Sequence, residues 1–339
     1  MSIDLATAPL GRRTLLRVTL TAFASSFLLI AGAPSQAQTE IKIGHVGEPG
    51  SIFQKSADEF ARRANAKLGG KAKVVVFGSS QLGGDREMIQ KLKLGTIDMA
   101  VPSTVMSSEV DLFGIFDLPY IVKDRAHMAR IEKDVFWPKI APEADKKGLK
   151  VLAVWENGVR HITNNRKPIK APADLQGIKL RVPEGKWRVK MFQAYGANPS
   201  PMKFSELFTA LQTGVMDGQE NPFTQIYSAK LNEAQKFLSL SGHVYTPAYV
   251  MVGTRHWNTL PADVRKVLED TARETQAYVY EVAAKDDADL LGKLKSGGMQ
   301  VNEVDKEAFI AASRPIYEEF GKEVAGAKEL IDRSVALGK

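Results

Sequence analysis

Leu211-Gln212-Thr213-Gly214-Val215-Met216-Asp217-Gly218-Gln219-Glu220-Asn221-Pro222 holds the end of one element and the beginning of the next. It reads as a helix end, a glycine stop, a strand start and a polar turn closed by proline. An earlier stretch, Leu92-Lys93-Leu94-Gly95-Thr96-Ile97-Asp98, follows the same L-x-x-G-x-x-D pattern. The echo is either coincidence at a common helix-to-strand junction or the mark of two similar α/β lobes that face each other. Between the two stretches lies Gly177-Ile178-Lys179-Leu180-Arg181-Val182-Pro183, a short apolar strand carrying one arginine. An unpaired buried charge is costly, so Arg181 needs an anionic partner. No acidic residue stands beside it on the strand, and its planar fork of donors fits a carboxylate. A ligand can supply that carboxylate; the bland alternatives are an exposed strand arginine or an internal ion pair.

Outward from these segments the chain alternates strand and helix. Residues 41–44 read as a first strand, followed by the loop Gly47-Glu48-Pro49-Gly50. In the helix after it, Phe53, Ala57, Phe60, Ala64 and Leu68 share one face, and Gly69-Gly70 ends it. A β-branched run at 73–77 is a buried strand, and Asp85 can cap the next helix. Strands follow near 97–101, 151–155 and 178–182, helices near 186–195 and 204–213, and a β-rich run at 243–254. This order predicts an α/β fold with largely parallel strands. Residues 261–294 form one helical stretch with proline only at its start. At 1.5 Å per residue it runs roughly 50 Å, wider than one domain, and can brace two lobes. A strand near 299–303 and a helix near 306–324 close the chain. No flexible linker separates the halves, so crossing strands should join them.

The first 37 residues read as an export signal. Arg12, Arg13 and Arg17 precede an apolar run at 20–33, and Ser35-Gln36-Ala37 is a small-x-small cleavage site. The run is shorter than the ~20 residues a spanning helix needs. Its paired arginines fit a twin-arginine signal as well as a general secretory one. The 339-residue chain carries a formal charge of +7, and removing the segment's net +2 leaves about +5. A mildly basic exported protein can steer anions; no block of like charge points to nucleic acid. With no cysteine there is no disulfide, thiol nucleophile or thiolate metal site.

Catalytic signatures are missing. The sequence has no H-E-x-x-H, no G-x-S-x-G, no phosphate loop and no G-x-G-x-x-G. The five histidines, at 45, 127, 161, 243 and 256, lack ligand spacing and read as structural or exposed rather than as ligands.

The Gly177–Pro183 and Leu211–Pro222 segments, in this order, resemble the DctP-type solute-binding proteins of TRAP transporters, from about Ile41 to the C-terminus. The resemblance implies a two-lobed periplasmic-binding-protein-like α/β fold, with lobes joined by crossing strands and a long bracing helix. One lobe would take residues 38–157 plus 246–286, the other 158–245 plus 287–339. It implies that Arg181 grips a ligand carboxylate. A second arginine, Arg160, follows Trp155-Glu156-Asn157-Gly158-Val159 and approaches the ligand, and Asn221 hydrogen-bonds it. Phe204 would lie against the ligand's body, with Asp85 and Ser103 on cleft-facing loops where specificity is set. Trp187 and Arg188 lie close enough in sequence to reach the cleft, with a core role the alternative for Trp187. The expected protein is a monomeric periplasmic receptor without cofactor. It takes up a small organic acid and hands it to integral membrane permease subunits. A ligand-binding subunit of a signalling system and an exported enzyme acting on an organic acid are the alternatives.

Overall fold

The structure, a computed structural model, describes residues 38–339. The expected signal segment, 1–37, lies outside the described residues. The chain opens with β1 (Thr39–Gly44), α1 (Ile52–Leu68), β2 (Ala72–Phe77), α2 (Asp85–Leu94) and β3 (Met99–Ala100). Ser51 caps α1, its Oγ accepting from Gln54 N at 3.2 Å, and Gly69 ends the helix in the left-handed region. The apolar stripe read from the sequence, from Phe53 to Leu68, is buried. β1 pairs in parallel with both β2 and β3.

Next come α3 (Arg125–Ile131), a π-helical stretch at Glu132–Ile140, α4 (Ala141–Asp145) and β4 (Leu149–Asn164). The opening pattern then recurs in β5 (Lys179–Val182), α5 (Lys186–Ala194), β6 (Asn198–Pro201), α6 (Phe204–Gln212) and β7 (Gly218–Asn221). β5 pairs in parallel with both β6 and β7, as β1 does with its two neighbours. The sequence echo marks this repeat. Asp98 Oδ2 accepts from Lys42 N of β1 at 2.8 Å, and Asp217 Oδ2 accepts from Lys179 N of β5 at 2.9 Å. Each aspartate pins the central strand of its lobe to the strand that follows the glycine stop.

The remaining elements are α7 (Phe223–Ser228), β8 (Phe237–Gly253), α8 (Thr254–Trp257), α9 (Ala262–Ser296), β9 (Gln300–Asn302), α10 (Lys306–Glu323) and α11 (Ala327–Leu337). The strands form one sheet in the order β2-β1-β3-β8-β4-β7-β5-β6, with β9 on β8. β4 and β8 are the crossing strands, antiparallel along nearly their whole length, with three register shifts. They run much further than the 151–155 and 243–254 runs suggested. The strand expected to end at Trp155 continues through Glu156-Asn157-Gly158, where a bulge shifts its register against β8. Gly158 has φ +125, and a Cβ on it would lie 3.0 Å from Pro222 Cβ, so the bend needs glycine.

Three apolar clusters fill the fold. The largest surrounds β1, β3 and the first half of β4; a second surrounds β5 and α5; a third surrounds α6 and α7. α9, 35 residues long, gives Val264, Leu268 and Val279 to the first cluster and Leu290 and Leu294 to the third. The helix therefore braces both lobes. Ile316, Phe320, Ala327 and Ile331 join the largest cluster, so the C-terminal tail does not pack wholly with the second lobe, as the 287–339 grouping expected.

Candidate functional site

Open α/β sheets place ligands beyond the carboxyl ends of their parallel strands. Here those ends are Val46 after β1, Ser103 after β3, the tip of β5 at Arg181 and Val182, and Asn221 at the end of β7. They converge on one cavity of about 40 Å³. At the roughly 10–15 Å³ one water needs, it holds about three water centres, which suits a compact ligand. All six residues named from the sequence line it: Arg181, Arg160, Asn221, Phe204, Asp85 and Ser103. Val46, Phe53, Thr104, Val105, Asn157, Pro183 and Gln225 complete the wall.

Arg181 is 3% exposed and makes no ion pair among the described residues. It donates from Nε and Nη2 to Met202 O at 2.9 and 2.6 Å. The side-on fork is thus occupied by a backbone carbonyl, and the end-on fork of Nη1 and Nη2 remains for a carboxylate. The guanidinium carbon stands 5.9 Å from the centre of the Phe204 ring, a cation–π distance that helps fix its plane. Burial and the nearby Arg160 charge pull its pKa down to about 10, which still leaves it ionised at neutral pH.

Arg160 is placed differently from Arg181. It is buried and binds Glu220 through both Nε and Nη2, with the Nη2 to Oε1 distance 2.9 Å. Its Nη2 also donates to Glu220 O. Glu220 is shared further: Arg188 Nη1 reaches its Oε2 at 2.8 Å, and His243 Nε2 lies 3.0 Å from the same oxygen. Arg188 in turn donates to Asp117 Oδ1 at 2.8 Å. Burial opposes ionisation of Glu220, but Arg160 and Arg188 outweigh it and hold its carboxyl well below the usual carboxylate range. The charge of Arg160 is therefore answered internally, while that of Arg181 is not. Arg188 does not line the cavity, and Trp187 is core, its ring edge-on to Phe320 at 4.8 Å.

Asp85 had two readings, helix cap or cavity wall. Gly84 occupies the cap position, and its N donates to Glu87 Oε2 at 2.7 Å. Asp85 is freed from that task; its Oδ1 is buried without a hydrogen-bond partner. Burial raises its pKa to about 7, Arg181 opposing and Glu184 adding to the rise. An acid whose pKa is raised by folding binds more protons folded than unfolded, so stability declines as pH climbs from about 4 to about 7. Asp85→Asn should remove that decline, and its melting temperature should gain on wild type between pH 5 and pH 8 without ligand. Parallel pH profiles of the two proteins would refute the assignment.

Asn221 Nδ2 donates to Gln219 Oε1, whose own amide donates to Thr163 Oγ1 at 2.9 Å, so the turn side chain is held in place. Ser103 is held by the backbone: its Oγ donates to Pro247 O at 2.7 Å. Asn157 Nδ2 then donates to Ser103 Oγ at 3.3 Å, and Gln225 Nε2 donates to Asn157 Oδ1 at 3.1 Å. Asn157, Thr104 and Gln225 were not singled out from the sequence. Asn157 stands within the quoted Trp155–Arg160 segment; nothing local distinguishes the other two. Among the described residues no group of three or more His, Cys, Asp or Glu could hold a metal ion, and no helix is long and apolar enough to cross a membrane.

Residues 43–323 match the model of the family described as bacterial extracellular solute-binding protein, family 7 (DctP). A solute-binding protein of Verminephrobacter eiseniae is 35% identical over 297 residues, covering 87% of this chain and 89% of its own. A TRAP periplasmic solute binding protein from a Polaromonas species, bound to D-erythronate, superposes with a TM-score of 0.84 at 36% identity. It covers 88% of this chain and 99% of its own. One from Sulfurospirillum deleyianum, with bound succinate, gives 0.84 at 35% identity, with 89% and 99% covered.

Proposed function

The chain belongs to the family 7 (DctP) extracellular solute-binding proteins, and we propose that it is the periplasmic receptor of a TRAP-type transporter for a small organic acid. Arg181 grips the acid's carboxylate with its end-on fork, and Arg160 and Asn221 complete the hydrogen bonds. Phe204 packs against the ligand, while Asp85 and Ser103 help set which acid fits. One observation carries this reading: a buried, ionised arginine faces a cavity between two lobes with no carboxylate in ion-pair contact among the described residues, although its neighbour Arg160 has one. A structural arginine at 3% exposure would be expected to have an internal counter-ion.

Lobe closure over the ligand, with bending at the β4 and β8 bulges and along α9, belongs to the known repertoire of periplasmic receptors. The receptor works as a monomer, without nucleic acid and without catalysis. It delivers the acid to integral membrane subunits after export through the secretory or twin-arginine route. Protein taken from a periplasmic extract should begin near Gln38 by mass spectrometry. In a thermal panel of organic acids, at least one should raise the melting point, since a ligand at about 100 times its Kd adds about 2.7 kcal/mol. No shift with any acid at millimolar concentration would contradict the receptor reading.

A further inference from the structure

Three oxygen atoms on the cavity wall are buried without a hydrogen-bond partner: Asp85 Oδ1, Thr104 Oγ1 and Gln225 Oε1. The orientation of Gln225 follows from a chain of hydrogen bonds that begins at a carbonyl. Pro247 O can only accept, so Ser103 Oγ must give it its single proton. Ser103 therefore accepts from Asn157 Nδ2, which turns Asn157 Oδ1 toward Gln225 Nε2. Gln225, which lines the cavity, is left with its carbonyl oxygen buried and unpaired. Gln225 Oε1 and an ionised Asp85 Oδ1 can only accept, so they ask for hydrogen-bond donors, while the Thr104 hydroxyl can accept or donate.

The charges agree. Asp85, Arg160 and Arg181 are the charged residues of the lining, and Glu220 already neutralises Arg160. One cation remains for one carboxylate. A second ligand carboxylate would find no second unpaired cation on the lining, would be repelled by Asp85 when that group is ionised, and has no proton to give Gln225 Oε1. A ligand hydroxyl donates and accepts, so it can pair with Gln225 Oε1, with Thr104 Oγ1, and with Asp85 whether or not that carboxyl is protonated.

We propose that the cavity selects a compact hydroxylated monocarboxylate against dicarboxylates, through the unpaired acceptor oxygens of Asp85 and Gln225 on its wall. The inference rests on the carboxylate-receptor reading and narrows it to one substrate class. Buried groups that hydrogen-bond a ligand hydroxyl reject analogues lacking it strongly, because they are then left unpaired.

The test is calorimetry of the exported protein with acids matched in carbon number: glycerate against malonate, D-erythronate against succinate, D-gluconate against adipate. The tightest hydroxylated monocarboxylate should bind at least about tenfold better than every dicarboxylate. Gln225→Met and Asp85→Ala, each checked for folding by circular dichroism, should reduce that margin by about tenfold or more. If a dicarboxylate binds within tenfold of the best hydroxy acid, the selection is overturned while the carboxylate receptor stands. If no acid of either class binds at millimolar concentration, both readings fall.

Discussion

Arg181→Ala lowers affinity for the bound acid by about 2–5 kcal/mol, the range seen when one partner of a buried charge pair is truncated. That corresponds to roughly 30- to several-thousand-fold in Kd at about 1.4 kcal/mol per decade. The loss is large because the cavity offers nothing to replace it. Arg160 is engaged with Glu220, and the remaining charged group on the wall, Asp85, is acidic. Arg181→Lys recovers little. The ammonium lacks the paired donors of the planar guanidinium, which holds Met202 O with Nε and Nη2 and keeps its end-on fork for a carboxylate. Calorimetry on folded variants measures this directly, and an Arg181→Ala protein binding within about threefold of wild type would contradict that range.

Glu220→Gln acts on stability. Glu220 is fully buried, and its carboxylate answers both Arg160 and Arg188, with His243 hydrogen-bonded to the same oxygen as Arg188. Removing the charge leaves two buried guanidiniums with Asp117 as the remaining carboxylate in contact, on Arg188 alone. Breaking a buried pair from one side costs about 3–5 kcal/mol. At roughly 2–4 °C per kcal/mol in a chain of this class, the melting temperature should drop by about 10 °C. The pH dependence has a definite sign. A carboxyl held below its unfolded value contributes stability that is present above that value and lost in acid. The gap between Glu220→Gln and wild type should be full at neutral pH and shrink as pH falls below about 4. Calorimetric melting at neutral pH and below about pH 4 measures it; a neutral-pH melting point within about 2 °C of wild type, well short of the expected shift, would show that the cluster relaxes around the loss.

What the sequence revealed and what it hid follow from how local each signal is. Arg181 was singled out by the family resemblance of Gly177–Pro183; the run Ile178-Lys179-Leu180-Arg181-Val182 alternates apolar and cationic residues, and only the fold shows that Lys179 is exposed and Arg181 buried. The lobe repeat was legible because helix end, glycine stop and aspartate lie within seven residues, and each aspartate bonds the neighbouring strand in the same way. Asp85 could not be assigned from its position, since a residue at a helix start caps or faces outward according to the backbone of Gly83 and Gly84. The extent of β4 was hidden by Asn157-Gly158, a turn signal that partner strand β8 overrides through a bulge. Thr104 and Gln225 were invisible because their unsatisfied oxygens exist only once residues far apart in the chain meet. Arg160 was named and does line the cavity, but its partner Glu220 lies 60 residues away, so the sequence did not show that its charge is answered internally.

The central claim is that a single buried cation recognises the ligand by its carboxylate charge. The most direct test uses wild-type protein and the tightest acid of the panel beside its primary amide, which keeps the shape and removes the charge. Calorimetry should find that the amide loses at least about 30-fold in affinity, the lower bound for a broken buried charge pair. An amide that binds as tightly as the acid would mean that Arg181 is not the group reading the ligand.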